Sequence, residues 1–258
     1  MTNDIDHIVH KLLNAQKRKS PIDFIRYDYT LDEQTAYEIQ KQLVQKKCAL
    51  YDEDITGYKI SMTSPETQEL ANTNEPAYGT LTTTSMVESS STIRLSNLID
   101  PLVEPELMFI LTDDLSFSAA EDEILSKSKI AAGLEIPDSR YKDWFPNFTL
   151  ADLLCDNGVA GRVVFSESVD PPSFNELEEI NMDLYHNGEK IGEGRSANVL
   201  GNPVSAVAWL TKKLAAHNRS LKKGMVISSG TFISPLRIEK GTYEASYSTI
   251  GNVQITVE

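Results

Sequence analysis

The chain has 258 residues, of which 40% are hydrophobic and 24% are charged, and its formal net charge is −14. These proportions are typical of globular proteins and exclude collagen-like, coiled-coil and disordered classes. A negative net charge repels phosphate backbones and anionic lipids, so we expect no nucleic-acid or membrane partner, whereas divalent cations are not repelled. The acidic N-terminal segment does not resemble a signal peptide, and we expect a cytoplasmic protein.

Two amphipathic helices are predicted at the N-terminus. Apolar residues recur at helical spacing from Ile5 to Leu13, and Pro21 ends this first helix. A second helix is predicted to begin in the segment 30–33, which has a capping-box pattern, and to continue through Leu43. We therefore expect an N-terminal helical region over residues 1–56.

The pattern becomes rich in short β-strands from residue 57 onwards. Helices are predicted over residues 119–130 and from Asn202-Pro203, where a capping residue precedes proline at the first helical position. His186-Asn187-Gly188 predicts a hairpin turn. This pattern indicates the α+β class, with a mixed-β catalytic body over residues 57–258. The predicted strands cover 57–62, 103–111, 162–167, 182–186, 225–229, 235–238, 242–248 and 252–257.

The two cysteines, Cys48 and Cys155, lie far apart, without a C-x-x-C motif or a neighbouring histidine cluster. This arrangement excludes a structural zinc site and gives no support for a disulfide framework. We therefore expect two buried, reduced thiols.

Glu104 and Glu106 are the first candidates for chemistry. Residues two apart on a strand point to the same face, and an apolar stretch follows directly. Two carboxylates ~4 Å apart repel by about 1 kcal/mol in water and by about 4 kcal/mol at an effective dielectric of 20. A divalent cation would compensate for this repulsion, and the alternative is an exposed strand end with two solvated acids.

Glu135 is a third candidate, because it lies within the apolar run 134–136, where a free carboxylate is unfavourable. The alternative is a glutamate paired with Arg140. Spacing alone does not bring Glu135 next to Glu104 and Glu106.

Six segments between residues 57 and 230 match, in order, the motifs of one known family. They are Gly57–Ser64 (G-Y-K-I-S-M-T-S, against G-W-K-I-G-x-T-S), Val103–Glu106 (V-E-x-E), Glu135–Arg140 (E-I-x-D-S-R), Asp156-Asn157 (the start of D-N-A-S-S-G), Gly201–Leu210 (G-N-P-x-x-A-V-A-W-L) and Ser229-Gly230 (S-G). The chain thus resembles the 2-keto-4-pentenoate hydratase / 4-oxalocrotonate decarboxylase family, within the fumarylacetoacetate hydrolase superfamily.

The resemblance implies a mixed-β body of the fumarylacetoacetate hydrolase C-terminal type, a 2-oxo acid substrate and a homo-oligomer built from dimers. It further implies that Mg²⁺ or Mn²⁺ acts as a Lewis acid that stabilises an enolate. Lys59 would then be the nearby cation and proton carrier, although outside this motif it would be a solvated strand lysine. The implied site consists of Lys59 as the catalytic residue and of Glu104, Glu106 and Glu135 as metal ligands. Asp138 and Arg140 are better placed around Glu135 than as direct catalysts. Thr231 follows Ser229-Gly230 and is a candidate for substrate contact, with a turn residue in a loop as the alternative.

Two departures from the family pattern affect the expected reaction. Ala77 replaces the acid of a P-D-F-G segment, and Val159 and Ala160 replace the two serines of D-N-A-S-S-G. Apolar side chains cannot transfer protons, so we expect slow hydration. The leading prediction is a metal-dependent, hydratase-like lyase of short unsaturated 2-oxo acids. The alternatives are a 4-oxalocrotonate-type decarboxylase and a metal-binding pseudoenzyme or complex subunit.

Overall fold

Two helices precede the first strand in the computed structural model, which describes residues 2–258, with side chains from Asp4 onwards. Helix α1 spans Thr2–Arg18, and α2 spans Glu33–Tyr51. The predicted helices are therefore present, but α2 is capped by Asp32, whose side chain accepts a hydrogen bond from the Thr35 backbone. The capping box predicted for the segment 30–33 is wrong, because Asp32 and not Thr30 is the capping residue.

Besides short 3-10 turns, the described residues 2–258 contain thirteen strands and six further α-helices, most of the helices being a turn or two long. The strands are β1 (Ile55–Ser61), β2 (Ala77–Thr82), β3 (Met86–Glu88), β4 (Thr92–Ile93), β5 (Leu102–Leu111), β6 (Ser128–Ile136), β7 (Arg162–Phe165), β8 (Asn181–His186), β9 (Glu189–Arg195), β10 (Val226–Thr231), β11 (Leu236–Arg237), β12 (Gly241–Tyr247) and β13 (Gly251–Val257). The helices are α3 (Pro65–Leu70), α4 (Glu121–Ser126), α5 (Trp144–Asn147), α6 (Leu150–Cys155), α7 (Phe174–Glu178) and α8 (Pro203–Ala216).

The strands form two sheets that pack against each other. The larger sheet has the order β2-β1-β10-β5-β6-β7-β3, with β11 also paired to β5, and the smaller has the order β4-β13-β12-β8-β9. Both are mixed, since β1–β10, β3–β7 and β4–β13 are parallel pairs. The Tyr247 hydroxyl donates a 2.7 Å hydrogen bond to the Gly133 carbonyl and thereby connects β12 to β6. This α+β architecture confirms the predicted fold class.

The predicted helix over residues 119–130 is wrong in its second half. Only Glu121–Ser126 is helical, and β6 begins two residues later. Strand β6 lies between β5 and β7 and is buried along nearly its whole length, so it reads as a continuous apolar run without alternation. Such a run cannot be distinguished from a buried helix by periodicity.

Two local predictions are confirmed. Asn187 and Gly188 take positive φ values of 53° and 83° between β8 and β9, as a two-residue hairpin turn requires. Asn202 caps α8, with its side-chain oxygen accepting a 3.2 Å hydrogen bond from the Val204 backbone.

None of the helices within residues 2–258 is long and apolar enough to cross a membrane.

A close approach of β1 to β10 fixes the start of the site. A Cβ atom on Gly57 would lie 1.8 Å from the Val226 carbonyl oxygen, so this parallel pairing requires glycine. Two residues further on, Lys59 lies opposite Ser228 in the same register. Gly57 therefore allows β1 to pair closely with β10 and to hold Lys59 between β2 and β10 in the larger sheet.

Candidate metal and substrate site

Three glutamates meet on the central strands of the larger sheet. Glu104 on β5 lies directly opposite Glu135 on β6, and Glu106 follows two residues after Glu104 on the same face. One carboxylate oxygen from each residue lies within 4.8 Å of the others. All three side chains are buried, with Glu106 and Glu135 fully excluded from solvent. The pairing of β5 with β6 brings in the third acid, which sequence spacing could not locate.

These carboxylates are poorly compensated. Burial, followed by repulsion from Glu135, raises the pKa of Glu104 to about 7. Burial also raises the pKa of Glu106 well above its ordinary value, with repulsion from its two neighbours adding to the effect, and burial raises that of Glu135. One oxygen of Glu106 and Oε2 of Glu135 are buried without a hydrogen-bond partner, and Oε1 of Glu135 has only its ion pair with Lys59. Buried polar atoms usually have partners, so these oxygens are available to a ligand.

Lys59 lies against the glutamates. Its Nζ is 3.2 Å from Glu135 Oε1 and donates a 2.5 Å hydrogen bond to Ser61 Oγ. Burial lowers the pKa of Lys59, but attraction by Glu135 and the other two carboxylates outweighs burial, and the pKa is raised. One ammonium thus faces three carboxylates, and a hard divalent cation with oxygen ligands fits the remaining negative charge.

Neighbouring groups orient Glu106. Its second oxygen accepts hydrogen bonds from Ser228 Oγ (2.5 Å) and from the Gly230 backbone (2.8 Å). Gly230 has a φ of 119°, and a Cβ atom there would lie 2.4 Å from Thr63 Oγ1. Glycine is therefore needed for this backbone amide to reach the carboxylate. The family motif predicted Ser229-Gly230 in a loop, whereas both residues lie at the end of β10. The contact of the Gly230 amide with Glu106 was not predicted.

A small cavity opens beside the cluster, with a volume of about 40 Å³. Lys59, Ser61, Glu104 and Thr231 line it together with apolar and aromatic side chains. This volume accommodates only a few water molecules or a short chain of carbon atoms. The cavity therefore places a small ligand next to the acidic cluster and the lysine.

Asp138 and Arg140 were predicted to lie around Glu135, but their polar contacts are with other residues. Asp138 accepts hydrogen bonds from the backbones of Ile99 (2.8 Å) and Asp100 (2.9 Å), and Arg140 pairs with the buried Asp156. The alternative pairing of Glu135 with Arg140 is wrong, because the cation next to Glu135 is Lys59. Thr231 does line the cavity, although its hydroxyl donates to the Ile233 carbonyl at 2.8 Å.

Similarity to known proteins supports the resemblance read from the motifs. A 2-hydroxyhexa-2,4-dienoate hydratase from Comamonas testosteroni is 30% identical over 232 residues, which cover 88% of this chain and 86% of the relative. The chain belongs to the 2-keto-4-pentenoate hydratase / 4-oxalocrotonate decarboxylase family. A 4-oxalocrotonate decarboxylase from a Pseudomonas species is 27% identical over 207 residues, 80% of this chain and 79% of the relative. No protein-family model matches the chain.

The fold has a close counterpart among solved structures. The 4-oxalocrotonate decarboxylase from Pseudomonas putida G7, complexed with magnesium and adipate, superposes with a TM-score of 0.91. The match covers 100% of this chain and 98% of that one at 21% identity. At this identity the likeness concerns the fold alone, and it agrees with the family membership that the sequence similarity shows.

The departures from the family motifs occupy different places in the structure. Val159 lines the cavity and has a φ of 51°, a conformation that β-branched residues rarely adopt. Ala160 packs instead against a small apolar cluster that includes Leu81. Ala77 is the cross-strand partner of Ser61, which stands where the family motif has glycine. Ser61 was not among the predicted site residues, and that glycine-to-serine difference was the available signal.

Proposed function

We propose that this chain is a divalent-metal-dependent lyase of short unsaturated 2-oxo acids, of the hydratase type. The observation that carries the proposal is the buried cluster of Glu104, Glu106 and Glu135, which has oxygens without hydrogen-bond partners and lies against Lys59. Lys59 and Glu104 also line the adjacent cavity. Relatives named as hydratases of 2-hydroxydienoates and the magnesium in the matching decarboxylase structure support it.

The three glutamates would hold Mg²⁺ or Mn²⁺, which prefer oxygen ligands. When bound, the ion supplies a Lewis acid that stabilises the enolate of a 2-oxo acid. Ser228 and the Gly230 amide hold Glu106 in position, and the hydroxyl of Ser61 fixes the direction of the Lys59 ammonium. Lys59 is then a proton carrier at the wall of a cavity that admits little water.

Hydration of a 2-hydroxy-2,4-dienoate requires four bond changes at the substrate. The enol oxygen loses its proton and C5 gains one, which gives a 2-oxo-3-enoate. The oxygen of water then bonds to C4, and a proton is delivered to C3, so the net change is the addition of one water. Lys59 is the protonated group nearest to this chemistry, whereas Val159 contributes neither a proton nor a hydrogen bond to the water.

Decarboxylation of a 2-oxo-enedioate is the second candidate, and the apolar Val159 in the cavity favours it. In that reaction the bond between C5 and C6 breaks, CO₂ leaves, and the electron pair moves through the chain to the 2-oxo group, whose oxygen gains a proton. No water has to be positioned. The same lysine and the same glutamates would serve both reactions.

Product identification with purified protein tests the proposal. The assay combines Mg²⁺ or Mn²⁺ with 2-hydroxypenta-2,4-dienoate and with 4-oxalocrotonate, and a parallel assay contains a chelator. We expect metal-dependent conversion that Glu135→Gln abolishes and that Glu189→Gln, an exposed acid on β9, leaves unchanged. Equal activity with chelator would refute the metal dependence, and no activity in any assay would favour a pseudoenzyme.

The proposal includes a cytoplasmic homo-oligomer built from dimers. Both cysteines are free, as expected in a reducing compartment, although Cys48 is half-buried and only Cys155 is buried. Tyr27, Leu50 and Phe117 are each more than half exposed, and large exposed apolar side chains suit subunit contacts. Light scattering after gel filtration is expected to give a mass of at least two chains, and a species near 29 kDa would contradict this.

A further inference from the structure

The cavity has two chemically different ends. Lys59 and Glu104 form the polar end, next to the proposed metal ligands. The other end is formed by Trp144, Phe145 and Phe148, whose rings contact one another at centroid distances of 5.6 to 6.4 Å. Trp144 is fixed by a 2.8 Å hydrogen bond from its Nε1 to the Asp100 carbonyl. This aromatic wall is therefore positioned before any ligand binds.

No cation is available at the aromatic end. Lys59 is the one basic side chain that lines the cavity within residues 2–258. The three arginines on the surrounding elements are each paired with an aspartate: Arg26 with Asp152, Arg140 with Asp156 and Arg237 with Asp100. Arg237 also donates from Nη2 to the Phe145 carbonyl (3.5 Å), so a second carboxylate on a ligand would have to compete with Asp100 for this arginine and would find no unpaired cation there among the described residues.

In the part of the chain that the structure describes, the surface groove next to the cavity also offers no cation to a ligand. Thr63, Thr67 and Thr231 also line a larger surface groove, and within the described residues the one charged side chain of that groove is Glu66. A ligand with a charged tail would pass an acid and then enter an aromatic pocket. Moving an unpaired carboxylate from water into such a pocket is strongly unfavourable.

We infer that the substrate is a monocarboxylate with a short, uncharged tail, and that Trp144, Phe145 and Phe148 determine this specificity by excluding a second carboxylate. The inference rests on the proposed function, because the 2-oxo acid end is taken to lie at the glutamates and Lys59. These residues would favour 2-hydroxydienoates whose chain ends in hydrogen or a methyl group over enedioates, whose chain ends in a second carboxylate. The cavity volume of about 40 Å³ sets the short length.

An apolar pocket also favours decarboxylation of a bound enedioate, because its second carboxylate leaves as neutral CO₂. Turnover alone therefore does not distinguish a monocarboxylate substrate from an enedioate. Binding of unreactive analogues does, because an enedioate must first bind with its charge intact. 2-Oxohexanoate and 2-oxoadipate have the same six-carbon chain and differ in a terminal methyl or carboxylate. Pyruvate has the same head and lacks the tail.

The experiment measures calorimetric binding of these three acids in saturating Mg²⁺. We expect pyruvate and 2-oxohexanoate to bind and 2-oxoadipate to bind about 100-fold more weakly than 2-oxohexanoate. Equal or tighter binding of 2-oxoadipate would overturn the inference while leaving the proposed function intact. Failure of pyruvate to bind would instead refute the 2-oxo acid site itself, and the inference with it.

A charge placed at the cavity provides the reciprocal test. Leu70 lines the cavity and is 39% exposed at the end of α3, so a lysine is tolerated there. We expect Leu70→Lys to tighten 2-oxoadipate about tenfold, because it supplies the missing counter-ion. Leu70→Met, of similar length but uncharged, and Ile191→Lys, which adds the charge at an equally exposed position outside the cavity, are expected to change neither affinity. An unchanged 2-oxoadipate affinity in Leu70→Lys would contradict the inference.

Discussion

The protein buries charge in two places that differ in how completely the charges are paired. Arg140 and Asp156 form a closed pair, in which Asp156 also accepts hydrogen bonds from the Ser139 hydroxyl (3.1 Å) and the Arg140 backbone (2.9 Å). The remaining guanidinium nitrogens donate to the backbone carbonyls of Asp138 and Asp156. The glutamate cluster is the opposite case, because three acids share one lysine and leave oxygens without partners.

This difference separates a structural charge from a functional one. A closed pair fixes the chain at a junction, here between the end of β6 and the end of α6, and it has no capacity left for a ligand. In an open cluster, the desolvation and mutual repulsion of the acids raise the free energy of the folded state, and a bound cation removes this penalty. The family resemblance covers both sets of residues, and the structure assigns them different physical tasks.

Asp156→Asn should have the largest effect on stability. It leaves the buried Arg140 without a counter-charge, and breaking a buried pair in this way typically costs about 3–5 kcal/mol. Chemical denaturation of the wild type and the variant measures the loss, with and without Mg²⁺. Glu193→Gln is the control, because its pair with Lys190 is exposed to solvent and should contribute little to stability. A similar small loss in both variants would show that the buried pair is not structural.

Glu106→Gln should change the free energy of unfolding in a direction that depends on whether metal is present. Without metal we expect stabilisation by about 1 kcal/mol, because one of three like charges is removed while the amide oxygen can still accept from Ser228 and Gly230. Saturating metal at 100 times its dissociation constant should stabilise the wild type by about 2.7 kcal/mol and the variant far less. Thermal unfolding with chelator and with Mg²⁺ measures both. Destabilisation in chelator would mean that the cluster is not strained without metal.

Sequence predicted the identity of the site residues better than their arrangement. Glu104 and Glu106 share a face because strand geometry requires it, and this follows from spacing. The approach of Glu135 depends on the pairing of β6 with β5, and β6 itself was read partly as helix. Long-range strand pairing leaves no local signal, so the cluster became visible only through the family motifs.

The aromatic end of the cavity was not predicted at all. Trp144, Phe145 and Phe148 lie outside every recognised motif, in a segment without clear periodicity. Their position depends on tertiary contacts such as the Trp144–Asp100 hydrogen bond. Specificity here is carried by α5 and the residue that follows it, a four-residue helix with non-helical φ/ψ at Phe145 and Pro146, which is too short and irregular to show a periodic pattern in the sequence.

The departure from the family pattern at Ala77 can be tested by restoring an acid. We expect slow hydration of 2-hydroxypenta-2,4-dienoate by the wild type, below an ordinary rate of about 10 s⁻¹, alongside measurable metal-dependent proton exchange at C3 of a 2-oxo acid. Ala77 lies opposite Ser61, so Ala77→Asp would place a carboxyl beside the hydroxyl that holds Lys59. We expect hydration to rise at least about tenfold, since general acid–base help is typically worth more. Ala77→Asn, which has the same shape but cannot transfer a proton, is the control, and an equal rise in both variants would exclude proton transfer.

The smallest expected effect concerns an exposed acid whose pKa moves in the opposite direction from those of the glutamate cluster. Hydrogen bonds from the Ser116 side chain and backbone, with Lys127, lower the pKa of Glu123 to about 2. Because the folded-state pKa is lowered from 4.5, the stabilisation is complete above about pH 4.5 and is lost as pH falls towards 2. Glu123→Gln should therefore lower the unfolding midpoint by about 1 °C at pH 7, and this difference should shrink below pH 4.5. Differential scanning calorimetry between pH 7 and pH 3 measures it, and a difference that grew on acidification would reverse the assigned sign.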